Sequence, residues 1–168
     1  MKNSKNNLKN NSKMKAVDIS IHDITELDVI RVVEIENISF THRWSLNSVI
    51  SELSNPASIC KKACLRDSGV TAGYIFVRVM VDEAHILKLA VHPGHRRRYV
   101  ASQLVRHITW DVLKAFKGKV ILEVRSSNTA AIRLYDCLGF KSLYTRRRYY
   151  DKPVEDAVVM AIDLKNHG

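Results

Sequence analysis

The stretch from Lys119 to Phe140 constrains the fold more than any other part of the chain. KVILEVR reads as an apolar strand. Two serines follow it, and then Asn128, a residue suited to N-cap a helix. Ala131, Ile132, Tyr135 and Leu138 form an apolar stripe at helical spacing. Gly139 stands where a C′ glycine closes a helix. The segments around it extend the alternation. Ala16–His22 reads as a strand with Val17, Ile19 and Ile21 on one face. Leu27, Ile30, Val33 and Ile38 mark a first helix that ends near Phe40. Ser45 caps a second, which reaches Leu53. Ser58–Arg66, Thr71–Val81 and Ala84–His92 read as strands, the last two as a hairpin turning at Asp82-Glu83. Leu104, Ile108, Val112 and Phe116 recur four apart, which predicts one helix over Arg98–Phe116. Phe140–Tyr150 and Asp156–Leu164 are the last strands. The order β-α-α-β-β-β-α-β-α-β-β belongs to an α/β or α+β chain with a mixed sheet.

A length of 168 residues fits one domain. Only 6 glycines and 3 prolines exclude collagen-like and Pro/Gly-rich low-complexity chains. No apolar run approaches the roughly 20 residues of a membrane span. The basic start, MKNSKNNLKNNSK, lacks the apolar stretch of a signal peptide. The expectation is a cytoplasmic protein without membrane contact. Residues 1–13 bear too little apolar surface to offset ordering entropy and read as a disordered basic tail; Met14 is an alternative start. The three cysteines, Cys60, Cys64 and Cys137, do not make a disulfide framework or a zinc-site spacing.

Net charge is +10, from 27 Lys and Arg against 17 Asp and Glu. Four of those charges are lysines of the tail. Two triplets, Arg96-Arg97-Arg98 and Arg146-Arg147-Arg148, stand out in the remainder. Such a balance favours a polyanion or a phosphate-bearing ligand. The first triplet lies in LKLAVHPGHRRRYVA, where a strand ends and a helix begins. Free backbone N–H groups at a helix start favour anions, and arginines add charge-assisted bonds. A solvated basic surface is the other reading. Glu123, set among Ile121, Leu122 and Val124, reads either as a desolvated carboxylate suited to be a base or as a solvent-side residue. Tyr135 reads by itself as a core residue.

Taken together the motifs resemble the GNAT superfamily of acetyl-CoA-dependent N-acetyltransferases, and within it the RimI branch, the ribosomal-protein-alanine N-acetyltransferases. The resemblance rests on Trp44-Ser45, Asp82-Glu83-Ala84, Leu89-Ala90-Val91 with Pro93, Arg96-Arg97, LEVRSSNTAAIRLYDCLGF, Arg147-Arg148-Tyr149-Tyr150 and Glu155-Asp156-Ala157. It implies a single GNAT domain over 14–168: a strongly twisted mixed sheet with helices on both faces and splayed central strands that hold acetyl-CoA. By the same resemblance Leu89, Ala90 and Val91 pair with the pantetheine. Arg97, Arg98, Tyr99, Val100, Ala101 and Ser102 hold the pyrophosphate, and Asn128 contacts the cofactor. Glu123 is the base, Tyr135 the acid, and Trp44, Tyr149 and Tyr150 lie at the peptide groove. No metal is needed. Transfer is direct, from thioester to the N-terminal amine, alanine in a ribosomal protein; a covalent route through Cys137 is the alternative. Tyr99 stands where the family has glycine, and a helical backbone with the ring turned away is one way to accommodate it. A ring stacked on the cofactor and a ring that crowds it are the other ways. Acceptors left open are another protein N-terminus or a small amine. A degenerate acetyl-CoA-binding module, or a ribosome- or RNA-associated protein using the two arginine triplets and the basic tail, are the remaining readings. Sequence-specific nucleic-acid binding is not expected.

Overall fold

The computed structural model describes residues 16–166. The expected basic tail and the choice between Met1 and Met14 lie outside the described residues. Seven strands form one sheet: β1 (Ile19–Asp23), β2 (Ser58–Leu65), β3 (Thr71–Val79), β4 (Glu83–Val91), β5 (Lys119–Arg125), β6 (Lys141–Asp151) and β7 (Val154–Asp163). Their order is β1-β2-β3-β4-β5-β7-β6. Every pairing is antiparallel except β4 with β5. That one parallel pair needs a crossover, and the helix after β4 supplies it.

Period-2 alternation splits the core between the two faces. Ile75 and Val77 of β3 face a cluster with Val100, Leu104 and Ile108 of α3 (Val100–Arg106) and Tyr135 and Leu138 at α4 (Thr129–Cys137). Tyr74 and Phe76 face a second cluster with Val29, Val32 and Ile35 of α1 (Val29–Ser39) and Val49 of α2 (Leu46–Leu53). Helices thus cover both faces, as the mixed-sheet reading requires.

Two helical expectations are corrected. Of the stripe Leu27, Ile30, Val33 and Ile38, only Val33 packs against the core. Leu27 is 94% exposed and Ile30 65%, while Val29, Val32, Ile35 and Glu36 are buried. Helix α1 is apolar on more than one face, so spacing alone does not say which face packs. The helix expected over Arg98–Phe116 begins at Val100, and after Arg106 it continues as a π-helical turn, His107–Val112. There the Leu113 N–H donates to Ile108 O at 2.9 Å. The Thr109 hydroxyl, bonded to Val105 O and Arg106 O, accompanies this widening. The extra residue rotates Leu113 into the core in place of Val112. Gly139 closes α4 at φ +93°, a left-handed backbone that glycine adopts without a Cβ clash.

Among the described residues no helix is long and apolar enough to cross a membrane, and no group of three or more His, Cys, Asp or Glu is placed to hold a metal ion. Cys60 and Cys64 are buried and Cys137 is exposed. Burial, with Glu52 nearby, pushes the Cys60 thiol up to about 12.

Candidate active site

Strands β4 and β5 pair only over Glu83–His85 against Lys119–Ile121. Beyond that point each keeps its outer partner, β3 for β4 and β7 for β5. The parallel pair therefore opens into a cleft between Ile86–Val91 and Leu122–Arg125. The His92 N–H donates to Ala72 O, on the β3 side. By alternation, the Leu89 and Val91 N–H groups point the other way, into the cleft. Val91 O on that side is taken by Arg96 Nε at 3.0 Å.

The C-terminal ends of parallel neighbours lie together, so two strand-to-helix turns meet at the mouth of the cleft. The β4–α3 turn carries the first arginine triplet. Arg97, Arg98 and Tyr99 are exposed. Arg97 has φ 58° and Tyr99 φ 64°. The helical backbone open to Tyr99 is not adopted. Its left-handed conformation is the one that glycine favours, so glycine's place here has a backbone reason. No side chain caps α3. The Ser102 hydroxyl donates to Tyr99 O at 2.8 Å, while the first-turn N–H groups of Val100, Ala101 and Ser102 precede the first bond of the ladder, Gln103 N to Tyr99 O.

The β5–α4 turn is built differently. Asn128 Oδ1 accepts the Ala131 N–H at 3.2 Å, which makes Asn128 a helix cap. Glu155 accepts the Ser127 N–H at 2.6 Å and pairs with Arg125 at 3.0 Å. The Ser127 backbone bond, with the Ser127 hydroxyl and Arg125 adding to it, holds the Glu155 carboxyl down to about 2.

Glu123 lies on the β5 wall, partly buried. Its surroundings differ from the apolar site that its sequence neighbours imply. Ile121, like Glu123, lies on the face with Val159 and Ala161, whereas Leu122 and Val124 turn to the other face. Arg146 Nη1 of β6 pairs with Glu123 Oε1 at 3.1 Å. Tyr135 is buried on α4, its ring 5.5 Å from Phe140. Burial, and secondarily Tyr150, pushes its phenol upward, so the hydroxyl keeps its proton at neutral pH. Tyr150 interacts electrostatically with both Tyr135 and Glu123. Tyr149 and Tyr150 stack edge-on at 5.1 Å, with Arg125 over Tyr150 and Arg146 over Tyr149.

Trp44 is less a surface feature than its loop position implies. Its ring packs on Phe76 at 5.3 Å, within the second core cluster. The α1–α2 loop also meets the β6–β7 turn, where His42 Nε2 lies 2.7 Å from Lys152 O. The structure thus brings Glu123, Arg146, Tyr149 and Tyr150 together, with Tyr135 buried in the cluster on the α3–α4 face of the sheet. Leu89–Val91 stand on the opposite wall, and Arg97–Ser102 and Asn128 occupy the two turns. Sequence reasoning missed the Glu123–Arg146 pair and a buried group at Glu36, Tyr74 and Lys88. A surface groove of about 320 Å³ between Lys119, Gly139, Lys141, Leu143 and Asp163 lies at the opposite end of β5 and takes in none of these residues.

Residues 29–140 match the acetyltransferase (GNAT) family. The chain belongs to the GNAT family. It is 31% identical over 147 residues to the [ribosomal protein bS18]-alanine N-acetyltransferase of Escherichia coli K12, covering 86% of this chain and 97% of that protein. It is 30% identical to the N-alpha-acetyltransferase RimI of Mycobacterium tuberculosis, over 86% and 92% of the two chains. The crystal structure of the Escherichia coli ribosomal-protein-S18-alanine N-acetyltransferase superposes with a TM-score of 0.80 at 28% identity, over 90% of this chain and 97% of that one. A plant NAA60 solved with acetyl-CoA, from Arabidopsis thaliana, shares the fold at a TM-score of 0.77 and 18% identity, over 90% and 100% of the two chains. The GNAT chain described here is an N-acetyltransferase of the RimI type, with the open parallel pair of its fold at the centre of the sheet.

Proposed function

We propose that the chain transfers the acetyl group of acetyl-CoA to the N-terminal α-amine of a ribosomal protein, alanine being the first residue, within a ternary complex. The observation that carries this is the opening of β4 from β5 after three paired residues, with N–H groups on one wall and Glu123 on the other. The Escherichia coli relative supports the acceptor: it is a [ribosomal protein bS18]-alanine N-acetyltransferase.

The cleft fits an extended pantetheine arm, because the Leu89 and Val91 N–H groups offer a strand edge that β5 does not occupy. The free N–H groups at the start of α3, with exposed Arg97 and Arg98, suit a pyrophosphate. Asn128 uses a lone pair of its side-chain oxygen for the cap, and its amide NH₂ remains to donate to a ligand. Acetyl-CoA supplies the acetyl group as an activated thioester.

An α-amine has a reference pKa of about 7.7–8.0, so much of it is protonated at neutral pH. Glu123 takes that proton, directly or through water. Its pairing with Arg146 fixes where the carboxylate points. A backbone N–H near Val91 donates to the oxygen that gains charge as the amine attacks. Tyr135, kept protonated by burial, gives its proton to the departing thiolate. Cys137 is exposed on the far end of α4 and takes no part. Trp44, Tyr149 and Tyr150 border the acceptor's path, Trp44 by shaping the wall from behind.

The test is incubation with acetyl-CoA and an alanine-initiated ribosomal peptide, read by mass spectrometry. The expected result is a gain of one acetyl group on the α-amine and none on the same peptide with a blocked N-terminus. Modification of the blocked peptide at lysine would replace the N-terminal acceptor with a side-chain amine.

A further inference from the structure

Two charges lie beside the second core cluster, one buried and one mostly buried. Glu36 of α1 is 1% exposed, and Lys88 of β4 lies beside it with Nζ 2.7 Å from Glu36 Oε1. The Tyr74 hydroxyl donates to the other carboxylate oxygen. Burying two ions is expensive, and apolar residues of similar size often serve stability as well or better. Fold stability alone is therefore a weak reason for the pair.

Its remaining bonds supply a better one. Glu36 Oε1 also accepts the Trp44 N–H at 2.8 Å, and Lys88 Nζ donates to His42 O at 3.1 Å. The Lys88 ammonium lies 4.1 Å from the centre of the Phe40 ring. Both ions thus bond the α1–α2 loop, at residues two apart. Lys88 reaches it through a β-bulge. Val77 is opposite Ile86 and Phe76 is opposite Lys88, which leaves Leu87 as the extra residue. Leu87 and Lys88 then both serve the α1–α2 face, immediately before Leu89. The loop also meets the β6–β7 turn through His42, whose Nε2 lies 3.5 Å from Asp151 at the end of β6.

We propose that Glu36 and Lys88 are positioning residues for the acceptor: they tie the α1–α2 loop to the cleft wall at Leu89, and so set the groove between that loop and the β6–β7 turn. This rests on the reading of the cleft as an N-terminal acetyltransferase site. Neither residue touches the reacting atoms. The pair holds one wall in register with the strand that aligns the thioester.

The experiment uses Lys88→Met and the triple variant Glu36→Leu, Lys88→Met, Tyr74→Phe. The triple removes both charges and the hydroxyl together, so no buried ion is stranded and its melting temperature should stay near wild type. Three quantities are measured: KM for the alanine-initiated peptide, calorimetric Kd for acetyl-CoA, and hydrogen exchange of the Trp44 amide. The expected result is a peptide KM raised about tenfold to a hundredfold in both variants. Acetyl-CoA affinity should stay within about twofold, with Trp44 exchanging faster in the triple variant. A folded triple variant with wild-type peptide KM would overturn the proposal and leave the pair a packing feature. Equal losses of acetyl-CoA and peptide binding would overturn it too. If the wild type acetylates no peptide, the functional reading fails separately; Trp44 exchange then judges the anchor, and unchanged protection in the triple variant would overturn it.

Discussion

The two strand-to-helix turns at the mouth of the cleft solve one geometric problem in opposite ways. The β5–α4 turn is tied down by side chains: Asn128 caps the helix, and Glu155 holds the Ser127 N–H. The β4–α3 turn has no cap, places Arg97 and Tyr99 at positive φ, and leaves its arginines exposed. Backbone donors already bonded by the protein are not free for a ligand. The tied turn therefore suits holding a catalytic strand in place, and the open turn suits binding phosphate. In the proposed mechanism, β5 and α4 would carry the proton chemistry while β4 and α3 would carry the affinity.

The largest effect should come from Glu123→Gln. Loss of a general base costs about 10²–10⁴-fold in turnover. Steady-state kinetics should show the fall in kcat, and an undiminished kcat would remove Glu123 from the chemistry. Replacing Arg97 and Arg98 together by alanine should do the reverse. Loss of charge-assisted bonds should weaken acetyl-CoA binding about tenfold by calorimetry and spare kcat at saturation. If kcat falls instead, the two turns do not divide the work.

Smaller effects test how each turn is held. Asn128→Ala should destabilise the fold by about 1 kcal/mol in denaturant unfolding, as loss of an N-cap does. The Glu155 carboxyl is held at about 2 in the folded chain, below its ordinary 4.5. Its contribution is present above pH 4.5 and disappears as pH falls towards 2. Glu155→Gln should therefore flatten the acid side of the stability profile over that window, and an unchanged profile would break the anchor argument. The last effect has the opposite sign. Tyr99→Gly should stabilise the chain by about 1 kcal/mol by relieving the left-handed backbone, whereas Tyr99→Ala should not. Equal effects of the two would mean the backbone at 99 carries no strain.

Much of this contrast was legible in the residues, because the tied turn uses local signals. Asn128 and Gly139 bracket α4 where capping rules put them, and the strands around the cleft fall close to their expected spans. The open turn was legible as charge and as a departure from glycine, but its conformation was not. A tyrosine forced left-handed by its surroundings leaves no local trace. The buried face of α1 was misread since Ile30 and Ile38 offer as good a stripe as Val32 and Ile35. The π-helical turn at His107–Val112 slips the stripe of α3 by one residue, which fixed spacing does not anticipate. Ion pairs across long separations, Glu123 with Arg146 and Glu36 with Lys88, depend on strand order and on a bulge. Neither exists as a pattern along the chain.

The division between affinity and chemistry is tested most directly by titrating acetyl-CoA into the Glu123→Gln protein by calorimetry. Glu123 stands on β5, and the proposed donors to the cofactor stand on β4 and α3. The account predicts a dissociation constant within about twofold of wild type in a protein that has lost nearly all turnover. A Glu123→Gln protein that no longer binds acetyl-CoA, or a wild type that binds none at millimolar concentration, would contradict it.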